Sequence, residues 1–262
     1  MHQVKAIKFQ EGKCSNVVDT LTVEEMLQIS INGESYTTTM RSPGFEEELS
    51  RGILLTEKVY SQKANPVFNI IEKNHQGFVT KVNVDIDPQS LESGILTKRN
   101  LMSVTSCGMC GQVESHLIEH ESPILSDTVL KASEIFSMFT RMRSHQENFD
   151  HSGGSHASAA FNGMHLLDVK EDIGRHNAVD KVIGSLLLQD KLSEATCLLV
   201  SGRISYEIVS KCYRAGIPFL AAVSAPSSMA VSYCNQLGIT LLAFCRENKL
   251  TVYTHPERLI MT

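Results

Sequence analysis

Residues 197–244, CLLVSGRISYEIVSKCYRAGIPFLAAVSAPSSMAVSYCNQLGITLLAF, decide the fold that the sequence predicts for this chain. Three short apolar segments, at 197–200, 219–223 and 240–244, alternate with two segments of helical length. Gly216 and Gly238 follow the helical segments, in the position where glycine commonly ends a helix. Strands this apolar are buried on both faces, so the pattern predicts a parallel or mixed sheet with helices on each side.

The turns after the first two of these strands form the predicted ligand site. In open α/β sheets, ligands bind beyond the carboxyl ends of the strands. Small residues let a ligand approach the backbone, and the N-terminus of the following helix offers N–H groups to a phosphate. Tight strand-to-helix connections that bind no ligand have the same composition, so both interpretations stay open at this point. The candidate residues are Ser201, Gly202, Arg203, Ser224, Ala225, Pro226 and Ser227.

The chain before residue 125 is predicted to be rich in strands, with one main helix. A hairpin is expected over residues 25–40, because Asn32 and Gly33 tolerate the positive φ of a tight turn. The other elements expected here are a helix from Phe45 that ends before Ser61, and a pair of strands at 68–71 and 78–84.

The predicted class is therefore α/β, or α+β for the chain as a whole, in two domains. A β-rich N-terminal domain is placed at residues 1–125, and a three-layer, mixed-sheet C-terminal domain at residues 126–262. In the second domain, one helix is expected to begin near Ser133 and another near Asn177. Asn177 is the predicted N-cap of that helix, with Asp180 three residues further on.

Four polar residues in the second domain are further candidates for ligand binding. Asp172, Arg175 and His176 crowd the predicted start of a helix, where Arg175 can fork onto a phosphate or carboxylate and His176 can bond a ligand or move a proton. His156 follows a glycine-rich turn. For Asp172, Arg175 and His176, the alternative is that they cap the helix and form a surface ion pair without binding a ligand. For His156, the alternative is a purely structural histidine.

Cys107 and Cys110 lie between glycines in the stretch 106–111, SCGMCG, and form the only closely spaced cysteine pair. A zinc site needs two more ligands, and no second C-x-x-C exists. A dithiol redox pair would be expected in a thioredoxin-like context at the N-terminus, which is absent. A carrier of persulfide sulfur needs a reactive, accessible thiolate, which the glycines and a helix starting near Gln112 favour. These alternatives stay open from the residues alone.

Two histidines after the cysteine pair give a zinc alternative. His116 and His120 match the H-x-x-E-H pattern, which on a helix places two imidazoles and a carboxylate on one face. Together with His156 they are also possible partners of the cysteines. The pattern is short, and no downstream carboxylate ligand can be identified, so a zinc metallohydrolase is kept only as a minor alternative.

Bulk composition excludes several classes of protein. The formal net charge of −5 is spread without a basic stripe, which argues against a nucleic-acid partner. No apolar run approaches the ~18 residues of a membrane-spanning helix, and no signal peptide is evident, so a cytoplasmic protein without a membrane partner is expected. The five remaining cysteines are scattered, as buried thiols in a reducing compartment are, and predict no disulfide scaffold.

Taken in order, the motifs of the chain resemble the formate dehydrogenase accessory sulfurtransferase family. The resemblance covers nearly the whole chain, and the block DIGRHN at 172–177 is its most specific part. The stretches that carry it are 41–44, 47–49, 52–57, 106–111, 154–157, 171–181, 201–203 and 221–226.

The resemblance implies a cytoplasmic homodimer that matures formate dehydrogenase. It would receive persulfide sulfur from a cysteine desulfurase, with Cys107 as carrier and Cys110 as helper. It would deliver that sulfur to the bis-molybdopterin guanine dinucleotide cofactor, which contains molybdenum or tungsten, before insertion into the formate dehydrogenase catalytic subunit. GDP would mimic the cofactor, no structural metal is expected, and the second domain would be similar to the cytidine deaminase fold. A cofactor chaperone without sulfur chemistry is the main alternative.

Overall fold

The computed structural model describes residues 1–92 and 125–261 of the chain. Strands and helices alternate along the described chain, with a β-rich beginning. The strands are β1 (His2–Gln10), β2 (Lys13–Leu21), β3 (Glu25–Ile31), β4 (Glu34–Arg41), β5 (Val67–Lys73), β6 (Val79–Asp85), β7 (Leu130–Lys131), β8 (His156–Asn162), β9 (His165–Asp172), β10 (Cys197–Val200), β11 (Phe219–Ala222), β12 (Thr240–Arg246), β13 (Lys249–Val252) and β14 (Leu259–Ile260). The helices are α1 (Glu46–Thr56), α2 (Ala132–Arg143), α3 (Glu147–Ser152), α4 (Arg175–Leu188), α5 (Tyr206–Arg214) and α6 (Ser228–Leu237).

A six-stranded mixed sheet is the centre of the second half, in the order β13-β12-β11-β10-β8-β9. The strands β10, β11 and β12 are parallel, while β8, β9 and β13 run antiparallel to their neighbours. This arrangement confirms the mixed sheet that the three apolar segments predicted.

Helices cover both faces of this sheet, because successive side chains along its central strands are apolar and point to opposite faces. Leu198 and Val200 pack with α4, α5 and α6 on one face. Cys197 and Leu199 pack with α2 on the other face. The period of two along a strand places successive side chains on opposite faces, which gives the predicted three layers.

A four-stranded sheet, in the order β4-β3-β6-β5, packs against α1 in the first half. Its first hairpin turns at Asn32 and Gly33, where both φ angles are positive, as the dipeptide predicted. The helix at 46–56 and the strand pair β5–β6 also lie where the sequence places them.

Helix α1 crosses α4 at two glycines, and this crossing joins the two halves of the described chain. A Cβ added to Gly52 would overlap the carbonyl of Asp180, and one added to Gly184 would overlap the carbonyl of Glu48. The helix backbones therefore lie closer together than any side chain at these positions would allow.

A helix does begin near Asn177, but the prediction that Asn177 is its N-cap is wrong. The helix begins at Arg175, with Gly174 as N-cap, and the Asn177 amide instead donates to the Met40 carbonyl (2.8 Å). Asp180 does not take part in a capping box. Its carboxylate is buried and accepts hydrogen bonds from Thr56 (2.8 Å) and Lys211 (2.8 Å). Contacts to the first half of the chain override the local capping signal.

Several elements of the described chain were not predicted from the sequence. They are the N-terminal hairpin β1–β2, the hairpin β8–β9, the strands β7, β13 and β14, and the short helix α3. Cys14 also differs from expectation, because it is exposed on β2, whereas Cys197, Cys212, Cys234 and Cys245 are buried.

Residue 125, where the sequence places the domain boundary, is the first described residue after the gap, and the boundary stays a prediction. Among the helices described, none has the length and hydrophobicity to cross a bilayer.

Candidate functional site

The carboxyl ends of β10, β11 and β12 lie at one edge of the six-stranded sheet and bring the predicted turns together. The Ile204 amide donates to the Ala225 carbonyl (3.1 Å), and the Ser227 amide donates to the Ile204 carbonyl (2.9 Å). Ile204 also forms a parallel bridge with Pro226. The two turns, 201–203 and 224–227, are therefore one continuous backbone surface, which we call the carboxyl edge.

His156 joins the carboxyl edge because β8 runs antiparallel to β10 and begins where β10 ends. Its Nδ1 lies 3.3 Å from the Ser201 hydroxyl, which accepts a hydrogen bond from the Ala157 amide (2.9 Å). Burial lowers the pKa of His156, and the nearby Arg175 charge lowers it further, although Asp172 opposes the shift. The imidazole is therefore held in its neutral form, which can both donate and accept a hydrogen bond.

Gly202 separates His156 from Arg175. A Cβ on Gly202 would lie 3.2 Å from the Arg175 Cδ and 3.3 Å from the His156 Nδ1, tighter than ordinary contacts. The Arg175 Nε is buried and has no hydrogen-bond partner among the described residues. A glycine beside an arginine with an unused buried donor forms a cradle of the kind that an anionic ligand fits.

His176 is less accessible than the sequence suggested. The residue is 9% exposed, and its Nε2 lies 3.3 Å from the Ser205 hydroxyl and 4.0 Å from a Glu207 oxygen. These contacts tie the start of α4 to the start of α5. His176 therefore holds two helix N-termini beside each other at the carboxyl edge.

Asp172 has no exposed surface, and its role in cofactor binding stays a prediction. Its carboxylate accepts hydrogen bonds from the amides of Ser42 (3.1 Å) and Gly174 (2.8 Å). It also pairs with Lys181, at 2.7 Å from the Nζ atom. The Asn177 amide also donates to this carboxylate (3.1 Å), so Asp172 holds the turn before α4 in place.

The remaining turn residues divide between exposed and structural positions. Arg203 is exposed, and Ser224, Ala225 and Pro226 are half-buried. The Ser227 hydroxyl accepts a hydrogen bond from the Ala230 amide (3.1 Å) and caps α6. The Ser227 side chain therefore has the structural role expected of a tight strand-to-helix connection. The backbone around it remains part of the carboxyl edge.

A cavity of about 700 Å³ opens beside His156 and Ser201, on the side of the sheet covered by α2, and Phe149 of α3 also lines it. Its walls are mainly apolar, with two arginines from different elements. Sequence reasoning missed this cavity, because α2 was expected only to pack and α3 was not expected at all. The residues that it adds to the site are Phe139, Met142, Arg143, Gln146, Phe149, Val223, Cys245 and Arg246.

Comparison with known proteins assigns the family. The sequence model of the FdhD/NarQ family matches residues 22–260. The chain belongs to the FdhD/NarQ family. It is 41% identical over 251 residues to a protein of Mycolicibacterium paratuberculosis named sulfur carrier protein FdhD, covering 92% of each chain. A protein of the same name from Saccharolobus solfataricus is 37% identical over 258 residues, covering 97% of this chain and 96% of the relative.

The fold is also that of a solved structure. The crystal structure of a protein from Desulfotalea psychrophila, described as a formate dehydrogenase accessory protein, superposes with a TM-score of 0.77. The sequences are 24% identical, and the match covers 99% of each chain. This likeness confirms the mixed α/β fold of the FdhD/NarQ chain.

The cysteine pair of this FdhD/NarQ member lies outside the described residues, as do His116 and His120. In the described ranges, no group of three or more histidine, cysteine, aspartate or glutamate side chains is arranged to hold a metal ion. The predicted roles of Cys107 and Cys110 therefore stay predictions.

Proposed function

We propose that the chain is a sulfurtransferase of formate dehydrogenase maturation. It takes persulfide sulfur from a cysteine desulfurase and delivers it to the bis-molybdopterin guanine dinucleotide cofactor, with molybdenum or tungsten as the metal. It acts as a cytoplasmic homodimer and passes the sulfurated cofactor to the catalytic subunit of formate dehydrogenase. Family membership and the names of its relatives support sulfur transfer in general.

The observation that carries the proposal is the cradle at the carboxyl edge. The cofactor has two nucleotide ends with diphosphate groups, and its binding site needs donors for anions beside space for planar rings. Gly202 lets Arg175 and His156 approach the turn closely, the buried Arg175 Nε has no partner among the described residues, and the cavity next to His156 supplies the space. Helix N-termini at the same edge favour phosphate.

Sulfur enters by attack of the Cys107 thiolate on the terminal sulfur of the desulfurase persulfide. A new S–S bond forms at Cys107, the S–S bond of the donor breaks, and the donor cysteine leaves as a thiolate. Cys110 assists this exchange.

The buried cysteines are poor substitutes for Cys107. Burial raises the pKa of Cys234 and of Cys245 to about 12, and it raises the pKa of Cys197 and Cys212 as well. Thiols with such pKa values carry very little thiolate at neutral pH, and the thiolate is the reactive form.

Mass spectrometry tests the transfer step. After incubation with a cysteine desulfurase and cysteine, the wild-type protein should gain the mass of one sulfur atom on the peptide that contains Cys107. Cys107→Ala should abolish this gain and fail to restore formate dehydrogenase activity in a strain lacking the protein. Cys14→Ala is the matched control, because Cys14 is the exposed cysteine of the described residues, and it should behave as wild type.

The main alternative is a cofactor chaperone without sulfur chemistry, which the same cavity and cradle would suit. If no sulfur appears on Cys107 or Cys110 and Cys107→Ala restores full formate dehydrogenase activity, sulfur transfer is wrong and the chaperone is favoured.

A further inference from the structure

We propose that Phe149 and Arg143 clamp a planar heteroaromatic ring that bears an anionic group, at the mouth of the cavity. We further infer that Glu171 is the positioning residue that holds this clamp in place. The inference rests on the proposed function, because it concerns the nucleotide part of the same substrate. It places the ring-binding residues on α2 and α3, outside the two turns that form the carboxyl edge.

The cavity has the size and chemistry of a pocket for a small organic ligand. Its volume of about 700 Å³ lies within the ~300–1,000 Å³ typical of such pockets. Phe139, Met142 and Val223 give it apolar walls, and few polar groups interrupt them. An apolar pocket with a small number of polar groups at its rim orients a flat ring and leaves a charged tail at the opening.

Phe149 and Arg143 form a preassembled stack at that rim. The guanidinium carbon of Arg143 lies 5.1 Å from the centre of the Phe149 ring. Phe149 is 38% exposed and lines the cavity, so part of this residue is accessible to a ligand there. A planar guanidinium can stack on a ring and donate a pair of hydrogen bonds to an anion at the same time.

Asp150 neutralises Arg143 when no ligand is bound. The two side chains form an ion pair, and both are about half exposed. The hydrogen bond from Arg143 lowers the pKa of Asp150, so the carboxylate stays charged at neutral pH. An anionic ligand would have to compete with this carboxylate for the guanidinium, so Asp150 weakens ligand binding.

Glu171 on β9 fixes the position of α3. Its carboxylate accepts hydrogen bonds from the amides of Asn148 (2.8 Å) and Phe149 (2.9 Å), and from the Ser155 hydroxyl (2.6 Å). A helix of six residues is not stable by itself, so its orientation depends on such contacts. Without the Glu171 carboxylate, the backbone amide of Phe149 loses its hydrogen-bond partner, and the position of the Phe149 ring is no longer fixed.

Equilibrium binding of GDP to the full chain tests the clamp. We expect Phe149→Leu and Arg143→Gln each to weaken GDP binding about tenfold, because each removes the cation–π stack or the anion contact. Asp150→Asn should tighten GDP binding about threefold, since it removes a competing charge. Arg141→Gln, an exposed arginine on the same helix that does not line the cavity, is the matched control and should bind as wild type.

A tryptophan reporter separates positioning by Glu171 from a general loss of stability. The chain contains no tryptophan, so Phe149→Trp introduces a single reporter at the mouth of the cavity. In this background, Glu171→Gln should shift the emission spectrum of the ligand-free protein, well below its unfolding temperature, and weaken GDP binding about fivefold. Arg141→Gln in the same background should leave the spectrum unchanged.

Guanosine serves as a second probe, because it has the ring without the phosphates. Phe149→Leu should weaken its binding, whereas Asp150→Asn should not change it. If wild type binds GDP and the Phe149, Arg143 and Glu171 variants bind it equally well, the clamp is wrong and the proposed function stands. If the wild-type protein does not bind GDP, the nucleotide site on which both proposals rest is overturned.

Discussion

Asp172 and His156 are paired on neighbouring strands beside the carboxyl edge, but they differ in burial. Asp172 is fully enclosed and pairs with Lys181, a buried cation whose own pKa is lowered by desolvation. Breaking such a pair leaves an uncompensated buried charge, so the pair constrains the turn before α4. His156 is only partly buried and keeps access to the cavity, which suits direct contact with a ligand.

His156 should make the stability of the folded protein depend on pH. Because its pKa is lowered in the folded state, the unfolded chain binds more protons below about pH 6.5. The neutral imidazole therefore makes its full contribution to the free energy of unfolding above the pKa that His156 has in the unfolded chain. This contribution is lost as the pH falls toward the lower pKa of His156 in the folded protein. Urea unfolding from about pH 7.5 to about pH 5 should show a steeper loss of stability for wild type than for His156→Gln. Equal slopes for the two proteins would contradict the lowered pKa.

Single residues also show where sequence reasoning reached its limit. Arg175 and His156 were predicted as binding residues, and the structure places both against Gly202. Asp172 is predicted to have the same role, because it crowds the predicted start of a helix together with Arg175 and His176. Its burial depends on Ser42 and Lys181, which are distant in sequence, and no local pattern reveals such partners.

Helices α1 and α4 meet through Gly52 and Gly184, and the closeness of their backbones makes this crossing sensitive to added volume. Each helix belongs to a different half of the chain, so the crossing determines how the N-terminal sheet sits on the six-stranded sheet. Thr56, Asp180 and Lys211 form a buried hydrogen-bonded group between the same helices and α5.

Replacing Gly184 with alanine should destabilise the protein. Alanine is favoured over glycine within a helix by about 1 kcal/mol. Overpacking of the new Cβ against the Glu48 carbonyl costs about 3 kcal/mol or more, because the helix backbones fix the positions of both groups. We therefore expect a net loss of about 2 kcal/mol in the free energy of unfolding, measured by urea denaturation.

Ser137→Ala, on the exposed face of α2, is the control for this substitution. It should change the free energy of unfolding by no more than about 0.5 kcal/mol. A Gly184→Ala protein that is more stable than wild type would show that the helices do not cross as closely as the structure indicates.

The strands and helices that the sequence predicted correctly are those with a strong local pattern of apolar or turn residues. The apolar segments β10, β11 and β12 were predicted because each is buried on both faces, and the hairpin β3–β4 because its turn needs positive φ. The strand β8 was missed because its alanines and serine carry little strand propensity. The helix α3 was missed because contacts from Glu171 hold it, and periodicity plays little part.

Across the whole molecule, the carboxyl edge lies where three layers and two half-chains meet. The sheet supplies the turns, α4 supplies Arg175, and α2 with α3 encloses the cavity. The N-terminal half reaches the same region through the Ser42 amide and carbonyl, which bond Asp172 and Lys181. The site therefore depends on the correct association of both halves.

The sequence predicted this edge as the ligand site from the general behaviour of α/β sheets. It did not predict the cavity beside the edge, because that cavity forms from side chains on α2 and α3 that are far from the turns in sequence. Phe149 and Arg246, for example, are 97 residues apart by their numbering and meet only in the folded chain. The family resemblance suggested the proposed function, and comparison with relatives confirmed the family.

A crystal structure of the protein soaked with GDP tests most directly whether the carboxyl edge and its cavity bind the nucleotide part of the substrate. We expect the guanine ring inside the cavity against Phe149, with the diphosphate beside Arg143 or Arg175. GDP bound at another surface, with the cavity and the Gly202 cradle making no contact to it, would show that this edge is not the nucleotide site.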